Sequence, residues 1–122
     1  MSSYLNDIFN LEGKIAAVTG GGGSLCSEMA RGFLKVGMNV VIMDKRLEKA
    51  KAVVDEIDPE GQNALPIEVD VSVKTDFERS IKTIIDRFGD VDVLVNGAGM
   101  NAPTAVLDIS GEEWDRILAV NL

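Results

Sequence analysis

The chain has 122 residues, 46% of them apolar and 26% charged, with a formal net charge of −8 and no histidine. That is enough for one domain with a modest core, and the acidic balance leaves no basic stripe of the kind a nucleic-acid partner requires. Proton chemistry cannot use imidazole, and the single cysteine, Cys26, excludes an internal disulfide and a cysteine-rich zinc site, so no metal is expected.

The N-terminal MSSYLNDIFN has no basic region followed by a long apolar run, so it does not read as a signal peptide. No segment approaches the roughly 20 apolar residues of a membrane helix. A cytoplasmic protein without a membrane partner is expected, and a lone cysteine fits a reducing compartment. The first strand is Ile15–Val18, followed by Thr19 and the four glycines Gly20, Gly21, Gly22 and Gly23. A helix begins near Ser24, with Leu25, Met29, Phe33 and Val36 recurring at helical spacing until Gly37 stops it. Val40–Met43 is a second strand, apolar throughout and so expected to be covered on both faces. Leu47, Ala50, Val53, Val54 and Ile57 mark the next helix, ended by Asp58-Pro59 and Gly61.

Ala64–Val69 is the third strand, and Pro66 inside it predicts a sheet edge, because proline cannot donate to a ladder. Phe77, Ile81, Ile84, Ile85 and Phe88 form a helical stripe with Gly89 after it. Val91–Val95 is the fourth strand, and Asn96-Gly97-Ala98-Gly99 a second glycine loop. Ser110 is a candidate N-cap for a last helix from Glu112 to Leu122, with Trp114, Ile117 and Leu118 facing inward. Met29, Met38 and Met43 read as core filler. The acidic cluster Asp108, Glu112, Glu113 and Asp115 reads as a solvated helix start.

Alternating strands and helices imply a parallel sheet with right-handed crossovers. The fold class is α/β, a Rossmann-type doubly wound sheet with four strands in the order 3-2-1-4, as one partial domain over residues 1–122. That order places the third strand at an edge, where Pro66 also puts it. A helix N-terminus exposes unpaired N–H groups and about half a positive charge. Glycines allow a phosphate to come close to such a backbone, which points to a diphosphate cradle formed by Gly20, Gly21, Gly22, Gly23, Ser24 and Leu25. Asp44 closes the second strand, 24 residues after Gly20. A carboxylate there can accept from a ribose 2′-hydroxyl and repels a 2′-phosphate, which favours NAD over NADP, although Lys45 and Arg46 beside it pull the other way.

Further stretches resemble the short-chain dehydrogenase/reductase family. Phe9-Asn10-Leu11-Glu12-Gly13-Lys14 resembles that family's approach to its first strand. Thr19-Gly20-Gly21-Gly22-Gly23-Ser24-Leu25-Cys26 resembles its T-G-x-x-x-G-x-G loop, with Ser24 and Cys26 in the places of the later glycines. Asp70-Val71 resembles the acidic site after strand three. Phe88 to Gly99 is similar to the stretch ending N-N-A-G, with Gly97 in place of the second asparagine. Val120-Asn121-Leu122 matches the segment that holds the family's asparagine. The four-glycine loop followed by Leu-Cys also resembles members that act on sugar acids.

The resemblance implies that Gly20 to Leu25 line the pyrophosphate and that Asp44 takes the adenosine ribose. It implies that Asp70 and Val71 meet the adenine, and that Asn96, Gly97 and Ala98 run beneath ribose and adenine. Asp70 also has a plainer reading as a loop acid or helix cap, and Asn96 as a loop-stabilising amide. The implied reaction is hydride transfer between a nicotinamide and a small carbonyl or alcohol, with a sugar acid or polyol as a candidate substrate. Of the family's catalytic set only Asn121 is present. The only tyrosine is Tyr4, with Ile8 where the family has lysine, and neither the serine nor Tyr-x-x-x-Lys occurs later. The chain is therefore expected to be the N-terminal, cofactor-binding half of a dehydrogenase, inactive alone, with an open apolar edge at Val91, Val93, Leu94 and Val95. The full-length parent is expected to be a homo-oligomer. The alternative is a non-catalytic dinucleotide-binding module.

Overall fold

A computed structural model describes residues 3–122. Nine elements follow in chain order: α1 (Ser3–Phe9), β1 (Ile15–Thr19), α2 (Ser24–Lys35), β2 (Asn39–Asp44), α3 (Leu47–Ile57), β3 (Ala64–Glu68), α4 (Lys74–Arg87), β4 (Val93–Asn96) and α5 (Gly111–Asn121). The four strands form one parallel sheet in the order β3-β2-β1-β4. This is the expected α/β Rossmann-type arrangement, and β3, paired only to β2 with Pro66 opposite Ile42, is an edge. The helix α1 has no counterpart among the expected elements; it is short and buries no residue.

Alternation along the central strands sorts the core into two layers, as a parallel sheet covered on both faces requires. Val18, Val40 and Ile42 face α2 and α3, where they meet Cys26, Ala30, Ala50, Val53 and Val54. Ala17, Val41 and Met43 face the other way, toward Ile84 of α4 with Phe77 and Phe88 beside it. Positive-φ glycines follow the helices at the expected stops: Gly37 after α2, Gly61 after α3 and Gly89 after α4. At the first of these, Gly37 N donates to Leu34 O and Met38 N to Phe33 O, which satisfies carbonyls at the helix end.

Several helix faces differ from the expected ones. In α2 the buried residues are Cys26 and Ala30, with Phe33 and Leu34 packed behind them, while Leu25 is 77% exposed and Met29 and Val36 are also exposed. The α2 residues that reach the centre of this layer are small, Cys26 and Ala30. A stripe drawn through the largest apolar residues is therefore rotated from the true one, and Met29 is not core; Met38 and Met43 are. In α4 the inward line runs through Phe77, Ser80, Ile84 and Phe88, leaving Ile81 and Ile85 half exposed. Ser80 is tolerated in the core because its hydroxyl donates to Asp76 O at 2.6 Å.

The fourth strand begins at Val93 rather than Val91, because Asp92 turns back onto β1. Its amide donates to Ile15 O at 2.9 Å, its carboxylate accepts from Ile15 N at 2.9 Å, and Lys14 pairs with it at 3.5 Å. Ser110 caps α5 as expected, accepting from Glu113 N at 3.1 Å. The expected inward face of α5 does not form, however: Trp114 is 51% exposed, Leu118 is exposed, and only Ile117 of the three is half-buried. No element of the described chain covers that face.

Candidate functional site

The β1–α2 turn is shaped by glycines that serve mostly internal purposes. Gly20 has φ +63°, and a Cβ there would lie 2.8 Å from Ala98 Cα, so both backbone conformation and close approach demand glycine. Gly21 packs on Ile42 and donates to Met43 O at 3.0 Å. Gly22 lies against Asp44 and Lys49 and donates to Asp44 Oδ2 at 3.1 Å. Gly23 donates to Gly20 O at 3.1 Å and is the N-cap residue of α2. Three glycine amides are thus engaged, two by β2 and one within the turn. No side chain caps α2, so the donors free to meet an anion are the first-turn amides of Ser24, Leu25 and Cys26. Leu25 contributes backbone only, because its side chain points to solvent.

Asp44 stands at the end of β2 beside this turn. One carboxylate oxygen accepts from Gly22 N and the other from Arg46 N at 2.9 Å. The first bond ties the acidic residue to the glycine turn, so both occupy one rigid unit. Across the cleft, Asp70 accepts from Ser72 Oγ at 2.6 Å and Ser72 N at 3.0 Å, and pairs with Lys45 at 3.0 Å. The Ser72 hydroxyl above all, then the Ser72 amide and the Lys45 ammonium, lowers the Asp70 carboxyl to about 2. Asp70 is therefore a loop-organising acid as well as a cleft residue. Its own amide donates to Asp76 Oδ2 at 2.9 Å, which anchors the loop to the start of α4.

The loop after β4 is fastened to β1 by Thr19, which enters the sequence reading only as the first letter of a motif. Thr19 is buried, and its hydroxyl accepts from Gly97 N at 3.1 Å and Ala98 N at 3.2 Å while donating to Val95 O at 3.3 Å. A threonine closing a strand immediately before a glycine turn is the available signal. Asn121 fastens the same loop to α5: its side-chain amide donates to Met100 O at 3.0 Å and accepts from Met100 N at 2.8 Å. Asn101 and Thr104 have local partners, the Ala102 amide and the Glu113 carboxylate.

These elements enclose a cleft of about 630 Å³ over the C-terminal ends of the strands. Of the expected cofactor residues, Gly20, Gly23, Asp44, Asp70, Val71, Gly97 and Ala98 line it. Gly21, Gly22, Ser24, Leu25 and Asn96 are not in its lining; the two glycines shape the turn from behind, and Asn96 is exposed. Lys45, Arg46, Lys49, Val69, Gly99, Met100 and Val120 complete the wall. The position is the switch point of the sheet, where β1 has β2 on one side and β4 on the other, and where open α/β sheets hold their ligands.

The model of the short chain dehydrogenase family matches residues 14–122. The chain belongs to the short chain dehydrogenase family. It is 45% identical over 104 residues to the uncharacterized oxidoreductase UxuB of Bacillus subtilis, covering 85% of this chain and 37% of that one. The 3-ketoacyl-(acyl-carrier-protein) reductase from Brucella melitensis, solved with NADH, superposes with a TM-score of 0.85 at 39% identity, over 92% of this chain and 46% of that one. A proposed D-mannonate oxidoreductase from Haemophilus influenza, solved with NAD, superposes with a TM-score of 0.85 at 26% identity, over 96% and 48%. The chain thus spans less than half the length of each of these relatives.

Within this short chain dehydrogenase chain, the residues fit a nicotinamide dinucleotide by their own chemistry. Uncapped helix-start amides suit a diphosphate, an acceptor at Asp44 suits a ribose, and a floor of Gly20 and Ala98 leaves flat contact surface. Tyr4, the single tyrosine, is exposed on α1 and lies outside the cleft lining. Among the described residues no group of acidic or cysteine side chains is arranged to hold a metal ion, and no helix is long and apolar enough to cross a membrane.

Proposed function

We propose that this chain is the cofactor-binding half of an NAD-dependent oxidoreductase that moves a hydride between a nicotinamide and a small carbonyl or alcohol. The observation that carries the reading is the convergence, in one cleft, of the uncapped α2 start, the Asp44 carboxylate and the glycine floor. The nicotinamide supplies or accepts the hydride when bound. Ser24, Leu25 and Cys26 donate their amides to the diphosphate, and Asp44 accepts from the adenosine ribose. Asp70 and Val71 border the adenine, while Gly97 and Ala98 lie beneath the sugar. Asn121 keeps the Met100 turn in place at the substrate end.

NAD is favoured over NADP because a 2′-phosphate would meet Asp44, whose carboxylate is held in place by Gly22 and Arg46. Lys45 is paired with Asp70, which leaves Arg46 in the cleft wall as the cation that pulls toward NADP. A sugar acid or polyol is the proposed substrate class, supported by the similarity to UxuB and to the mannonate-type structure. We place the whole protein in the cytoplasm as a homo-oligomer.

Calorimetric titration of the folded chain with NAD, NADP and S-adenosylmethionine tests the proposal. Binding of NAD, at least about tenfold weaker binding of NADP and none of S-adenosylmethionine are expected, a tenfold ratio being about 1.4 kcal/mol. A folded chain that ignores NAD overturns it. The chain alone, lacking a tyrosine acid in the cleft, is expected not to form NADH from a panel of sugar acids and alcohols.

A further inference from the structure

The two cleft loops depart from the family pattern at Cys26, which stands where T-G-x-x-x-G-x-G has a glycine, and at Gly97, which stands where N-N-A-G has its second asparagine. These positions are far apart in sequence, yet they touch in the fold. Cys26 is buried in the first turn of α2, and its thiol lies 3.8 Å from Gly97 O. A Cβ built on Gly97 would run into Cys26 Sγ and lie 2.8 Å from Thr19 O, but it would meet Cys26 Cβ at an ordinary 3.7 Å. The sulfur ends a side chain and gives way only by leaving this space, while the Thr19 carbonyl is fixed backbone.

We propose that Cys26 and Gly97 are a matched positioning pair, in which the thiol fills the space left by the absent side chain at 97 and sets the gap between the start of α2 and the loop after β4. The inference rests on the proposed dinucleotide cleft, because Gly23 on one side of this gap and Gly97 and Ala98 on the other line it. An atom added at 97 cannot be absorbed locally. Thr19 pins the Gly97 and Ala98 amides, and Gly20 abuts Ala98, so the loop moves as a unit away from the α2 amides. Each departure from the pattern then makes room for the other. The thiol acts through its volume and performs no chemistry.

The test is a cycle of Gly97→Ala, Cys26→Ala and the double variant in the 122-residue chain, with folding checked by circular dichroism. NAD affinity and the thermal midpoint are measured for each. Cys26→Ala removes the sulfur while keeping a good helix former. Gly97→Ala is expected to weaken NAD binding about tenfold or more and to lower the midpoint, and Cys26→Ala, which empties the shared space, to lower the midpoint and to weaken binding by less than Gly97→Ala does. The double variant is expected to bind NAD at least about threefold more tightly than Gly97→Ala alone, with the remaining loss due to Thr19 O. If Gly97→Ala costs the same with Cys26 intact as it does on top of Cys26→Ala, or costs nothing at all, the pairing is overturned. If Gly97→Ala fails to fold, a folded double variant supports the pair and an unfolded one overturns it. If the folded, unsubstituted chain does not bind NAD, the proposed function falls, and the thermal midpoints alone decide the pairing by the same criterion.

Discussion

The two halves of the cleft are built differently. On one side, β1 and β2 are almost wholly buried, α2 packs on them through Cys26 and Ala30, and the glycine-turn amides find partners within this unit. On the other, the loop after β4 and α5 rest on a few polar staples, Thr19 to Gly97 and Ala98, and Asn121 to Met100, and α5 buries no residue. A site divided in this way has a rigid wall that fixes the diphosphate and ribose ends. Its opposite wall has its position set by single side chains. Local stability follows buried apolar contact, so the second wall is expected to open more readily than the first.

The comparison breaks most visibly at Gly20. Gly20→Val places a β-branched residue at φ +63° with its Cβ 2.8 Å from Ala98 Cα. A loss of about 3 kcal/mol or more in urea denaturation is expected, together with loss of NAD binding. A loss under about 1 kcal/mol would show that the first wall is not rigid. Next comes Thr19→Val, which keeps the shape but strands the Ala98 amide. A cost of about 2 kcal/mol is expected, with weaker NAD binding, and an unchanged urea midpoint would mean that the hydroxyl does not hold the loop.

Asn121→Ala should cost less, about 1 kcal/mol, because it removes two hydrogen bonds on an exposed segment. Its sharper readout is hydrogen exchange. Amides of α5 and around Met100 should exchange faster while those of β1 and β2 stay unchanged, and a uniform change would erase the distinction between the walls. The smallest effect concerns Asp70, whose folded value of about 2 lies below the ordinary 3.8. A lowered carboxyl stabilises the fold fully above its unfolded value and loses that contribution as pH falls through the folded one. The gap in thermal midpoint between the unsubstituted chain and Asp70→Asn should therefore narrow as pH drops from about 4 to about 2, and a gap independent of pH would remove Asp70 as the cause.

Much of this architecture was legible from residue patterns. Short apolar runs separated by helical stripes and glycine stops imply parallel βα units, and Pro66 alone placed β3 at an edge. Asp44 was legible because a carboxylate at a strand end beside a glycine turn has few other uses. The helix faces were less legible. In α2 a rule that ranks residues by apolar size selects Leu25 and Met29, whereas the residues buried against the sheet are Cys26 and Ala30. In α4, Ser80 lies inside because it satisfies its hydroxyl on its own helix, which no apolar pattern displays.

The sequence by itself determined the order of elements, the parallel sheet and the switch point between β1 and its neighbours. Those follow from local periodicity and from backbone demands that glycine and proline carry wherever they stand. Only the tertiary structure decided which donors remain free at the glycine turn, that Thr19 and Asn121 are staples, and that Cys26 and Gly97 share one space. Each of these is a contact between residues distant in the chain, and packing against a specific neighbour leaves no mark on the periodicity of either segment.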